Sequence, residues 1–148
     1  MDSNVAKYLT QQIMTASPAT LVYLLLDKAI GSLHDAVAAI EAGDVDRRWR
    51  ANNRAVEIIS HLWSTLDTER GGEVARNLGG LYAFILRRLP AVDLKNDPQP
   101  ALDVIGLLEP IRESWRELAR HAPAAETRPD GRDAEPGAPP RPRTDLSA

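Results

Sequence analysis

Three histidines, His34, His61 and His121, are the only imidazoles in this 148-residue chain, and it contains no cysteine. Nucleophilic catalysis would need a Ser, Thr or Lys held beside one of them. None of the three stands in such a pattern. A carboxylate-bridged di-iron centre in a helical bundle uses Glu-x-x-His, which aims both ligands inward from one helix face. Three residues before the histidines stand Gly31, Ile58 and Leu118 instead, so that ligand geometry fails at each. Glu57 and His61, four apart, share a helix face, a spacing typical of a surface pair. Gly71-Gly72 and Gly79-Gly80 lack the Gly-x-x-x-x-Gly-Lys-[Ser/Thr] pattern that cradles phosphate and read as turns or packing sites. The composition predicts no catalytic residue, no metal and no cofactor.

One basic run remains, Arg47, Arg48, Arg50 and Arg54. It could meet phosphate or an acidic partner, but Asp44, Asp46 and Glu57 flank it, which favours a solvated helix face. The chain carries 18 Lys+Arg against 21 Asp+Glu, a formal charge of -3. That balance argues against a dedicated nucleic-acid binder, whose affinity comes mainly from neutralising phosphates. The absence of cysteine suits a reducing cytosol. The first residues lack the basic and apolar regions of a secretory signal. Leu21–Leu26, the most apolar stretch, is far short of the roughly 20 residues that span a bilayer, so no membrane insertion is expected.

The elements that must position any site are helical by periodicity. Leu21, Leu25, Ala29, Leu33, Val37 and Ile40 recur at spacings of three and four, with Val22, Leu26 and Ile30 widening the stripe. Ser17 is placed to N-cap this helix, Pro18 has the φ favoured at its first position, and Gly43 suits its left-handed end. Asp44 opens a second helix with Val45, Trp49, Val56, Ile59, Leu62, Trp63 and Leu66. Its early part passes through Asn52 and Asn53 and is expected to be less buried. His61 is expected at the boundary, hydrogen-bonded. Gly71-Gly72 should end this helix, and the third should run from about Glu73 through Val74, Leu78, Leu81, Tyr82, Ile85, Leu86 and Leu89. Asp97 caps the fourth, which carries Leu102, Ile105, Leu108, Ile111, Trp115 and Leu118. Pro90 and Pro110 fall inside helical patterns, where each removes a hydrogen bond, so a kink or break is expected near each.

Short connections favour antiparallel neighbours. The expected fold is all-α, an antiparallel up-down four-helix bundle over residues 18–122. Residues 1–17 form a short N-terminal cap segment with Val5, Tyr8, Leu9, Ile13 and Met14, too short for a stable helix alone. From Pro123 the chain holds six of its eleven prolines and one large aliphatic residue, Leu146. Such a segment cannot offset its ordering entropy by burial, so 123–148 is expected to be a disordered Pro/Arg-rich tail.

Specific strings add to this reading. They are Met14-Thr15-Ala16-Ser17-Pro18, Ser64-Thr65-Leu66-Asp67-Thr68-Glu69-Arg70-Gly71-Gly72-Glu73, Ala75-Arg76-Asn77-Leu78, Leu81-Tyr82, Leu86-Arg87-Arg88-Leu89, Lys95-Asn96-Asp97 and a late Trp115. In this order and spacing the chain resembles the FliS family of flagellar secretion chaperones, from Tyr8 to about Ala119. The resemblance implies a cytosolic, non-enzymatic export chaperone. Its partner would be the C-terminal, unstructured segment of flagellin, held in apolar grooves so that it does not polymerise before type III export. It also implies a contact with the cytoplasmic part of the flagellar export gate. On this reading Leu21, Leu24, Leu25, Leu62, Leu66, Leu81 and Ile85 line the grooves. Tyr8, Ile13 and Met14 sit at a mobile edge, on a segment that can cover the groove when flagellin is absent. The alternative is an adaptor that holds another flagellar regulator or the export gate. Gly79-Gly80, Pro90 and Pro110 depart from the family pattern.

Overall fold

A computed structural model of the chain describes residues 16–121. Tyr8, Ile13, Met14 and most of the expected cap segment lie outside the described residues, as does the tail 123–148. Within the described residues the elements are α1 (Pro18–Ala42), α2 (Val45–Ser64), α3 (Thr68–Arg88), the short α4 (Pro90–Leu94) and α5 (Gln99–His121). The chain divides into two compact units, Leu24–Ser114 and a second made of residues 1–23 with 115–148.

In the second unit the described residues are the start of α1 and the end of α5. The Ser17 hydroxyl is buried and accepts from the Thr20 N–H at 3.1 Å, so it caps the helix that Pro18 opens, as its position predicts. At the other terminus Glu117 pairs with Arg120 at 4.0 Å and His121 at 3.8 Å, one turn apart on solvent.

The unit Leu24–Ser114 is a four-helix bundle. Gly43, at φ 71°, ends α1. The Asp44 N–H reaches the Ala39 carbonyl at 2.9 Å and the Gly43 N–H reaches Ile40 at 3.1 Å, the Schellman arrangement that satisfies a helix's last carbonyls. Asp44 then caps α2 by accepting from the Arg47 N–H at 3.1 Å.

The junction after α2 departs from the expected one. The helix ends at Ser64, because the Ser64 and Thr65 hydroxyls turn back onto the carbonyls of His61 and Leu62 and compete with continuation. Asp67 caps α3 by accepting from the Arg70 N–H at 3.0 Å. Gly71-Gly72 therefore kinks the first turns of α3 rather than closing α2. Gly72 adopts φ 56° and ψ −133°, a conformation essentially reserved for glycine.

Pro90 breaks the chain as expected: α3 stops at Arg88 and Pro90 opens α4, where a missing N–H costs nothing. Asn96, at φ 51°, ends that turn, and the Asp97 carboxylate accepts from the Gln99 N–H at 3.0 Å. Pro110 does not break its helix, since α5 continues from Gln99 to His121. Residue 106, whose carbonyl loses its donor and faces the proline ring, is an exposed glycine, so water can satisfy the freed carbonyl and crowding is small.

The core is formed by Leu26, Ile30 and Leu33 of α1, Ile59 and Leu62 of α2, Tyr82 and Ile85 of α3, Leu89, Val92 of α4, and Val104, Ile105 and Leu108 of α5. Full burial of each such aliphatic chain is worth about 1.5–3 kcal/mol against exposure. Small residues Ala36, Ala39, Ala51, Ala55 and Ala101 are buried beside them and let the helix backbones approach.

Candidate binding surface

Ion pairs define which helices are neighbours in the unit Leu24–Ser114. Arg47 at the start of α2 binds Asp35 late in α1. Arg112 late in α5 binds Asp27 early in α1 at 3.0 Å. Arg88 at the end of α3 binds Asp103 near the start of α5. Each pair joins the end of one helix to the start of another, so these neighbours run antiparallel. The guanidinium fork suits a carboxylate at each site better than an ammonium would. Arg47 is held above its ordinary pKa by its hydrogen bond to Asp35, and Arg88 together with Gln99 holds the Asp103 carboxyl below the usual range.

The basic run of α2 is thus divided: Arg47 and Arg48 are half-buried in ion pairs, whereas Arg50 and Arg54 are exposed, as a solvated face would be. Arg48 donates to Asp93 at 2.8 Å and to Asn96, and Arg50 pairs with Asp46 on the surface at 3.1 Å. Asn52, expected on a less buried stretch, is 2% exposed. Its amide donates to the Leu89 carbonyl at 3.1 Å and to Asp93 at 3.2 Å, which fastens the α3–α4 break onto α2. The apolar pattern missed this because Val45 and Trp49, assigned to the stripe, are exposed. Ala51, Asn52 and Ala55 take the inner face instead. The His61 side chain is exposed, and its carbonyl accepts from the Ser64 hydroxyl at 2.8 Å.

The α2–α3 seam differs from the others. Among the described residues no ion pair joins these two helices. An alanine Cβ placed at Gly79 would lie 3.6 Å from both Leu66 Cδ1 and Trp63 Nε1, so these two side chains of the α2 end lie over α3 there. Trp63 is nonetheless 45% exposed, and on α3 Phe84 is 43% and Val74 68% exposed. Of the residues expected to line a groove, Leu66 and Leu81 are half-buried, while Leu62 and Ile85 are buried in the core. Leu24 and Leu25 are half-buried on α1 in this unit; Leu21 is half-buried in the other. Phe84 was missed in sequence because it lies off the buried stripe of Tyr82, Ile85 and Leu89. An aromatic residue out of phase with a helix's core face is the signal that would have found it. Among the described residues no three His, Cys, Asp or Glu come together as metal ligands, and no helix is long and apolar enough to cross a membrane.

The profile of the family described as Flagellar protein FliS matches residues 1–122. The chain belongs to the FliS family. It is similar to the flagellar secretion chaperone FliS of Salmonella typhimurium, 40% identical over 117 residues that cover 78% of this chain and 87% of that protein. The FliS of Vibrio cholerae is 35% identical over 107 residues, covering 72% and 79%. That of Bacillus subtilis is 29% identical over 110 residues, covering 74% and 81%. The FliS match ends at residue 122, one residue before the proline-rich composition begins. Its relatives carry the name of a chaperone, which is not an enzyme class, and the helical bundle agrees with membership.

Proposed function

We propose that this chain is a cytosolic export chaperone that binds the C-terminal segment of flagellin, blocks its premature polymerisation and keeps it competent for flagellar type III export. The observation that carries this reading is the α2–α3 seam. It leaves Trp63 45% exposed above Gly79 in a bundle whose other seams carry Arg–Asp pairs, in a family whose members are named for flagellar secretion.

The mechanism is binding and release, with no covalent step and no cofactor. An amphipathic segment of flagellin buries its apolar face against Trp63 and Leu66 at the α2–α3 seam, while Leu81 and Phe84 elsewhere on α3 and Leu24 and Leu25 of α1 offer further apolar surface to a segment that wraps around the bundle. Leu62 and Ile85 support the seam from the core. At about 25 cal/mol per Å² the gain must exceed the roughly 2–5 kcal/mol or more lost in ordering the segment. Residues buried on the chaperone are then unavailable for subunit–subunit contacts, which is how polymerisation is prevented. The N-terminal segment with Tyr8, Ile13 and Met14 acts as a displaceable cover, and the loaded chaperone meets the cytoplasmic part of the export gate.

Calorimetry with the cognate flagellin, intact and lacking its C-terminal segment, tests this reading. Tight binding with a negative ΔCp that disappears on truncation is the expected result. Equal binding of both flagellins would refute it.

A further inference from the structure

The two parts of α3 differ in what holds them. From Leu81 onward, Tyr82 and Ile85 are buried in the core and Arg88 binds Asp103 of α5. Before that, residues 73–78 bury only Ala75, while Val74 is 68% exposed and Leu78 half-buried. Among the described residues no ion pair or side-chain hydrogen bond ties residues 68–80 to another helix; Arg70 pairs with Asp67 within its own turn. Both ends of the 73–78 stretch are weak points. On one side Gly72, at φ 56° and ψ −133°, interrupts the helical backbone. On the other stands Gly79-Gly80, and each helical glycine shifts the local balance about fivefold towards coil relative to alanine. Gly79 lies beneath Trp63 and Leu66 but offers them no side chain to grip, and a Cβ added at exposed Gly80 would meet nothing within 4 Å. The stretch between these glycines is less than two turns, too short to hold a helix without packing.

We infer that residues 73–78 form a hinged flap, which swings out about Gly79-Gly80 and Gly72 while the rest of the bundle stays folded. Opening the flap gives up the burial of one alanine and part of Leu78. Opening residues 81–88 would instead expose Tyr82 and Ile85 and break the Arg88–Asp103 pair. The parts of a fold that open first are those with few buried apolar side chains and exposed backbone hydrogen bonds. The swing draws Gly79 from under Trp63, so the α2–α3 seam has a closed state and a wide one. This is a property of the free chain and does not depend on what the seam binds.

Native-state amide exchange on the full chain tests the flap in wild type, G31A, G79A and G80A, each rate being corrected for that of the unstructured amide. A helical N–H binds the carbonyl four residues earlier, so residues 77–81 report on the flap and residues 85–89 on the anchored half. In wild type the first set should be at least about tenfold less protected than the second. Gly31 on α1 is exposed, and a Cβ there would meet nothing within 4 Å, so G31A raises global stability alone. It should slow residues 85–89 about fivefold and leave residues 77–81 unchanged. G80A should slow residues 77–81 about fivefold. G79A should slow them at least as much, because its Cβ also comes within 3.6 Å of Trp63 and Leu66. Equal protection of the two sets in wild type would overturn the inference, since α3 would then open as one cooperative unit. So would equal slowing of both sets in G31A. Unchanged exchange of residues 77–81 in both G79A and G80A would refute the hinge.

Discussion

Asp103 accepts hydrogen bonds from Arg88 and from Gln99 at 2.8 Å, and its carboxyl is held below the ordinary range chiefly by the Arg88 bond. A carboxylate with a lowered folded-state pKa adds stability that is complete above the ordinary value of about 3.9 and is lost as pH falls through the folded value. D103N should therefore lower the urea midpoint at neutral pH, with the difference from wild type closing as pH falls through the lowered folded-state value and Asp103 becomes protonated in both states. Asn52 is a different case, because the side chain itself is buried. N52A leaves the Leu89 carbonyl and Asp93 short of a donor and should cost about 1–3 kcal/mol in urea unfolding. N52D should cost more than N52A, since it sets a second carboxylate beside Asp93. Asn52 was visible in sequence only as an interruption of an apolar stripe. Its role depends on Leu89 and Asp93, about forty residues later, and nothing local encodes that.

Helix boundaries followed local chemistry wherever one residue decides them. Ser17, Pro18, Gly43, Asp44 and Pro90 act as their types and positions predict, because a cap or a missing N–H works within one turn. The α2–α3 junction was misplaced because two signals compete there. Gly71-Gly72 looks like a terminus, but the hydroxyls of Ser64 and Thr65 end α2 first and Asp67 starts the next helix. Gly72 is held at φ 56°, so G72A should destabilise the bundle by about 1–3 kcal/mol in equilibrium unfolding. At Gly71 an added Cβ would lie 2.6 Å from the Ala75 Cβ, which forces a shift of the helix turn. In α5 the helix already accommodates Pro110, and P110A would restore the hydrogen bond to Gly106. A gain of about 1–3 kcal/mol is expected, read as a higher denaturation midpoint.

At the scale of the whole molecule, core and candidate binding surface separate by exposure. Leu62 is buried and Leu81 half-buried. L62A should cost about 2–5 kcal/mol of stability through cavity formation. L81A should cost less stability but lower the affinity for the flagellin segment; calorimetric binding and urea unfolding on the same pair of variants distinguish the two. The sequence by itself determined the helices, most of their caps and the family, because periodicity, capping chemistry and ordered strings are all properties of neighbours along the chain. Only the tertiary structure decided which apolar residues are core and which are surface. A stripe as wide as that of α1 or α3 has two sides, and the packing of the other helices selects the one that is covered. Packing likewise drew Arg47 and Arg48 of the basic run into ties to Asp35 and Asp93, left Arg50 and Arg54 exposed, and kept Trp63 at the α2–α3 seam open.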